Sequence, residues 1–193
     1  MKRKLTALLL TLALLPTLAA CGEQGAAGET RTVYAMDTVM NLTVYGEKAA
    51  SALEDAEKEL HTLDESVLSR TAEGSELFAL NAANGETVSY AADDPLPQLI
   101  ETALAISEAT GGAFDPTLAP VLDAWGFTKD TRRVLPAEEL AALLAHTGRG
   151  KVALEKTAEG ESVTLLDGAQ LDLGGIAKGY AADLLRAQLE KEG

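Results

Sequence analysis

Two hydrophobic periods alternate along this chain, and that alternation constrains the fold more than any single residue does. Thr38 to Tyr45 carries alternating Val, Met, Leu and Val before Gly46, the pattern of a strand with one face on a core. Leu53, Ala56, Leu60, Leu63 and Val67 then recur every three or four residues, the stripe of an amphipathic helix. Ser75 to Leu80 predicts a short helix. Pro95 to Ala109 predicts a longer one, with Leu96, Leu99, Ile100, Ala103 and Ile106 buried and Gly111-Gly112 ending it. Pro136 suits the first position of a helix running to about His146. Lys151–Glu155 and Ser162–Leu166 read as a hairpin around Ala158-Glu159-Gly160, Gln170–Leu173 as a third strand, and Ile176–Glu190 as a final helix. Strands and helices interleaved in this way predict a mixed α/β (α+β) domain.

The N-terminus stands apart from that domain. Lys2, Arg3 and Lys4 precede an apolar run from Leu5 to Leu15, the layout of a secretory signal and too short to span a bilayer as a mature helix. Leu18-Ala19-Ala20-Cys21 resembles the lipobox at which lipoprotein signals are cleaved before a lipid-bearing cysteine. The expectation is a signal peptide over residues 1–20, lipid on Cys21, and anchorage on the extracytoplasmic face of a membrane, because more than one acyl chain on a residue suffices for stable attachment. Residues 21–31, rich in Gly, Ala and Glu, read as a flexible tether. That leaves 32–193 for the domain.

Composition limits what this domain can bind. Without the three basic residues of the signal, 13 Lys and Arg face 30 Asp and Glu, a net charge of −17. Such a surface repels nucleic acid, so no nucleic-acid partner is expected. Cys21 is the only cysteine, which excludes internal disulfides and thiolate metal sites. Stability must come from an apolar core.

Two segments carry chemistry. In Leu171-Asp172-Leu173-Gly174-Gly175-Ile176-Ala177-Lys178-Gly179-Tyr180 a strand enters a helix through a glycine pair, where backbone can approach a ligand and free N–H groups favour an anion. Lys178 in that first turn opposes the helix dipole unless it answers a bound anion. A tight connection with a solvated lysine is the plainer alternative, and Asp172 is either a cap or a ligand for a hydroxyl or ring nitrogen. The spacing fits neither a Walker loop nor G-x-G-x-x-G. The second segment, Thr110-Gly111-Gly112-Ala113-Phe114-Asp115-Pro116-Thr117 followed by Trp125-Gly126-Phe127, gathers Gly, aromatic and acidic residues in a loop between helices, a composition that often shapes sites. A helix cap with Phe114 and Trp125 in the core would explain it equally.

Together with Met36-Asp37-Thr38, Leu42-Thr43-Val44-Tyr45-Gly46, Leu68-Ser69, Ser75-Glu76-Leu77 and Leu80-Asn81, these segments resemble, in order, the ApbE-type flavin transferases, which cleave FAD and pass FMN to a threonine or serine of another protein. The resemblance implies a T-fold-like domain. It also implies that Met36, Thr71, Ala113, Phe114, Asp115, Asp172 and Lys178 contact FAD, with Lys178 near the pyrophosphate, and that the Gly175 carbonyl binds Mg2+. The implied chemistry is attack of an acceptor hydroxyl on the FMN phosphorus with AMP leaving, or hydrolysis to FMN and AMP when water attacks. Acceptors of this family are membrane electron-transfer flavoprotein subunits or exported flavin reductases. In the family Gly usually stands at position 37, and an aromatic or amide side chain at position 71. A second half carrying an Asp and a Thr that complete the magnesium site follows, so this chain is expected to be truncated on its C-terminal side and catalytically incomplete. A non-catalytic exported module that binds a flavin nucleotide or a protein is the alternative. The solute-binding lipoprotein of a transporter is a third and weaker one.

Overall fold

The alternating segment at 38–45 forms half of a hairpin whose other half begins inside the expected tether. In the computed structural model, which describes residues 28–127 and 131–192, β1 (Glu29–Ala35) pairs antiparallel with β2 (Thr38–Val44) in a register that sets Ala35 opposite Thr38. The tether reading therefore fails for residues 29–31. Thr-Arg-Thr-Val-Tyr alternates with polar residues on its outer face, and only Val33 and Ala35 are buried. Cys21 and the signal segment lie outside the described residues.

Only Met36 and Asp37 remain to turn this hairpin, and both adopt left-handed backbone, φ 53° and 54°. That is the requirement of a two-residue turn matched to strand twist. Asp tolerates the conformation better than most residues, so it can stand at position 37, where the resemblance implies Gly. Met does not, and its N–H is held by the Asp64 carboxylate at 2.8 Å.

The remaining elements are α1 (Ala49–His61), continuing as a π-wound stretch (Thr62–Leu68); α2 (Glu76–Ala82); β3 (Val88–Tyr90); α3 (Pro95–Ala109); α4 (Ala119–Trp125); α5 (Ala137–Leu144); a 3-10 turn (Arg149–Lys151); β4 (Val152–Lys156); β5 (Glu161–Leu165); and α6 (Gly174–Glu192). Helix α3 has the predicted bounds. Asp94 caps it by accepting the Leu96 N–H at 2.9 Å, and Pro95 opens it. Pro136 lies just before α5 rather than within it.

Two cores result. Helices α2 and α3 pack on the three-stranded sheet β3-β5-β4, burying Leu77, Leu80, Leu99, Ile100, Val163 and Leu165. Each such side chain contributes about 1.5–3 kcal/mol by leaving water. The second core, under the β1-β2 hairpin, joins Val33, Ala56, Leu60 and Leu63 to Ala181 and Leu185 of α6. Leu68 and Tyr180 pack against both cores.

Three local readings are corrected. Gln170–Leu173 is not a strand: Leu171 exchanges its backbone bonds with the Asn81 side-chain amide, donating to Oδ1 at 2.7 Å and accepting from Nδ2 at 2.9 Å, while Gln170 makes one isolated bridge to Leu118. The third strand of the sheet is β3, paired with β5 from Val88–Val163 to Tyr90–Glu161. The region before Trp125-Gly126-Phe127 contains α4 rather than loop alone.

Glu76 in the first turn of α2 meets Asp94. Burial, then the charge of Asp94 and their hydrogen bond, push its carboxyl up to about 7. Its Oε2 and the nearby Tyr90 hydroxyl are buried without a hydrogen-bond partner. Burial and the charges of Glu76 and Asp94 also raise the Tyr90 phenol.

Candidate functional site

Four of the residues singled out from the sequence line one cleft. Met36 and Asp37 of the hairpin turn, Asp64, Leu68 to Thr71, Leu122 of α4, Phe127, and Asp172 to Gly174 with Ala177 and Lys178 enclose about 300 Å³. That volume is at the lower end for small-molecule pockets. Met36, Thr71, Asp172 and Lys178 are thus brought together from segments far apart in the sequence.

The floor is ionic. Arg70, its side chain 11% exposed, reaches Asp172 Oδ2 through Nε at 2.7 Å and Asp123 Oδ1 of α4 through Nη1 at 2.5 Å. The other oxygen of Asp172 accepts the Gly174 N–H at 2.9 Å, and the Asp172 N–H donates to the Pro116 carbonyl at 2.8 Å. Both readings of Asp172 meet here: it caps the start of α6, and it faces the cleft through an oxygen tied to a cation. Arg70 escaped sequence analysis because its partners are distant in sequence. Its one signal was its place between Ser69 and Thr71. Ser69 shapes this bend by accepting the N–H groups of Thr71 and Ala72.

Helix α6 begins at Gly174, two residues earlier than expected. Lys178 therefore stands at the fifth helical position, past the first turn. It is exposed, and among the described residues no ion pair or hydrogen bond engages it. The anion that satisfies the Gly174 N–H is the protein's own Asp172. The Ile176 and Ala177 N–H groups donate to the Leu173 carbonyl at 3.0 and 2.9 Å, so a phosphate near Lys178 would have the lysine itself and the Gly175 N–H as donors.

Ala113, Phe114 and Asp115 do not line this cleft. Ala113 is exposed. Asp115 accepts both the N–H and the hydroxyl of fully buried Thr117, whose Oγ1 in turn accepts the Gly148 N–H at 2.6 Å. That latch secures the loop before α4, and Asp115 borders a separate hollow with Glu108 and Arg149. Phe114 connects the two regions: a Cβ added at Gly175 would lie 2.9 Å from its ring. Packing alone thus favours Gly at position 175.

Magnesium finds no ligand set in this half. Among the described residues no three His, Cys, Asp or Glu side chains converge, and Asp172 is committed to Arg70 and Gly174. The Gly175 carbonyl is at most one ligand of such a site. A larger groove of about 470 Å³ between β2, α1 and α6 contains none of the residues expected to contact FAD or magnesium. No described helix is long and apolar enough to cross a membrane.

Known proteins resemble this chain in sequence and fold. The chain is 33% identical over 171 residues to an FAD:protein FMN transferase of Treponema pallidum, covering 84% of this chain and 47% of the relative. An FAD:protein FMN transferase of Rhodobacter capsulatus is 36% identical over 121 residues, 61% of this chain and 23% of that one. Among solved structures, the ApbE protein of Thermotoga maritima superposes with a TM-score of 0.76 at 32% identity, covering 84% of this chain and 52% of that one. The apo flavinyl transferase ApbE of Pseudomonas stutzeri gives 0.76 at 28%, covering 86% and 53%. The chain spans about half the length of the relatives that it matches over most of its own length. The ApbE family model matches residues 36–193, and with the mixed α/β fold and the motif order in agreement, the chain belongs to the ApbE family.

Proposed function

We propose that this chain supplies the nucleotide-binding half of an FAD:protein FMN transferase. The observation that carries the reading is the convergence of Met36, Thr71, Asp172 and Lys178 on one cleft in a chain of this family. In the proposed reaction an acceptor Thr or Ser hydroxyl forms a bond to the FMN phosphorus, the bond from that phosphorus to the bridging diphosphate oxygen breaks, AMP departs, and the hydroxyl proton goes to solvent. This half does the holding. Lys178 neutralises diphosphate charge, and Arg70 and Gly174 fix the Asp172 carboxylate against the bound nucleotide. The Met36 turn closes one end of the cleft. Mg2+ belongs to the proposal for the whole enzyme, and no step here is routed through it. The acceptor is a membrane electron-transfer flavoprotein subunit or an exported flavin reductase. An exported lipoprotein held through Cys21 on the extracytoplasmic face would meet either one.

The test compares FAD titrations of the chain and of Lys178→Ala. Losing a charge-assisted phosphate contact costs about 1.5–3 kcal/mol, so affinity should weaken by roughly 10- to 150-fold while the ligand-free melting temperature stays put. Equal affinities would overturn the phosphate role, and a collapsed melt would make Lys178 structural. With Mg2+ added, this chain should release no FMN or AMP. Robust release would mean that a complete metal site exists within it, and absence of FAD binding would leave a protein-interaction module as the reading.

A further inference from the structure

We propose that Phe127 is the stacking platform for a planar ring of the nucleotide bound in the cleft, with Trp125 as its backing; this rests on the nucleotide-site reading above. Phe127 lines the cleft yet is 54% exposed. A phenyl ring serving only the core would be turned inward, because its value to folding is the area it removes from water. Instead it lies against another surface ring. The Trp125 and Phe127 centroids are 5.6 Å apart with planes inclined by 27°, an offset-stacked geometry. Trp125 thus stacks beside Phe127, which still borders the cleft and keeps more than half of its surface open to solvent.

The pair is held before any ligand arrives. Gly126 between them ends α4 in left-handed backbone, φ 79°, and a Cβ there would fall 2.2 Å from the Thr131 carbonyl oxygen. The Phe127 N–H donates to the Leu122 carbonyl at 3.2 Å, and the Trp125 carbonyl accepts the Arg133 N–H at 3.1 Å. The Arg133 side chain also grips the Ala124 carbonyl at 3.0 Å. A ring whose backbone is set in this way and which already stacks on Trp125 has less freedom to lose on binding, which favours a flat partner. The cleft that it borders also contains Lys178, which has no anionic partner among the described residues. An aromatic face and an unanswered cation in one cleft match a ligand carrying both a heteroaromatic ring and phosphate.

FMN and AMP, titrated separately, divide the ligand into its two rings. Base-on-aromatic stacking predicts that Phe127→Ala weakens whichever of the two binds here by about 5- to 150-fold. Phe127→Leu, which keeps apolar bulk without a ring, should weaken it nearly as much, and Phe127→Tyr should restore it. The melting temperatures of the exposed-site variants should match that of the unaltered chain. Intact FMN and AMP binding in Phe127→Ala, or full rescue by Leu, would overturn the assignment. Failure of the unaltered chain to bind either nucleotide would overturn the site reading itself, and the assignment with it.

Discussion

Glu76 makes the stability of this protein depend on pH in the direction opposite to most carboxylates. Its carboxyl is raised from 4.5 to about 7 by burial and by Asp94, so the folded state holds a proton that the unfolded chain releases. For a group whose folded pKa is raised, the stabilisation is complete below the unfolded value and is lost as pH rises through the folded one. The window is therefore pH 4.5 to about 7, with stability falling toward alkaline pH. At 1.36 kcal/mol per pKa unit the full shift would amount to roughly 3 kcal/mol before solvent screening. Part of the side chain still meets water, and screening reduces this to about 1–2 kcal/mol. About three-fifths of this is still present at pH 5.5, so at about 2–4 °C per kcal/mol for a domain of this size the melting temperature should fall by roughly 1–5 °C between pH 5.5 and 8.5. Glu76→Gln keeps the shape and can still donate to Asp94, but it does not titrate. Its melting temperature should stay level across the same range. Melts followed by circular dichroism at half-unit intervals measure both slopes. Parallel slopes in the two proteins, or no slope in the unaltered one, would refute the reasoning.

Two further outcomes are expected. Arg70→Ala removes the shared cation from the carboxylates of Asp123 and Asp172, which are 40% and 24% exposed; a fully buried broken pair costs about 3–5 kcal/mol, and this exposure reduces the loss to about 1–3 kcal/mol, read as a lower melting temperature that Arg70→Lys restores only in part because lysine lacks the guanidinium fork. Cys21→Ala should release the protein from the membrane fraction or leave it unprocessed, and normal processing with retained membrane binding would refute lipidation at this residue.

Periodicity was most informative where one element buries one face. Helix α3 and the β4-β5 hairpin are legible because their apolar spacing follows a single core. β1 was hidden because its outer face shares the polar composition of the segment before it, and β3, three residues long, is too short to show a period. Gln170–Leu173 has the composition of a strand, but its partner is the Asn81 side chain, which no periodic rule anticipates. In the cleft, Met36, Thr71, Asp172 and Lys178 were found through short motifs. Arg70 acts through Asp123 and Asp172, distant neighbours that only the fold gives it. Asp115 shows the converse: its loop composition suggested a ligand, and in the structure its acceptor oxygen serves Thr117.

The cleft is stitched across long stretches of chain. Met36 and Asp64 are 28 residues apart, Arg70 and Asp123 53, and Asn81 and Leu171 90. Each stitch closes a loop whose entropy must be spent before the contact forms, and contacts of such separation slow folding. No small peptide from this chain can carry the site. Any opening that frees α4 or the Asn81 clamp takes the cleft apart, so a nucleotide that binds there would favour the folded chain over the opened one. By mass action, its concentration would then set how stable the folded chain is.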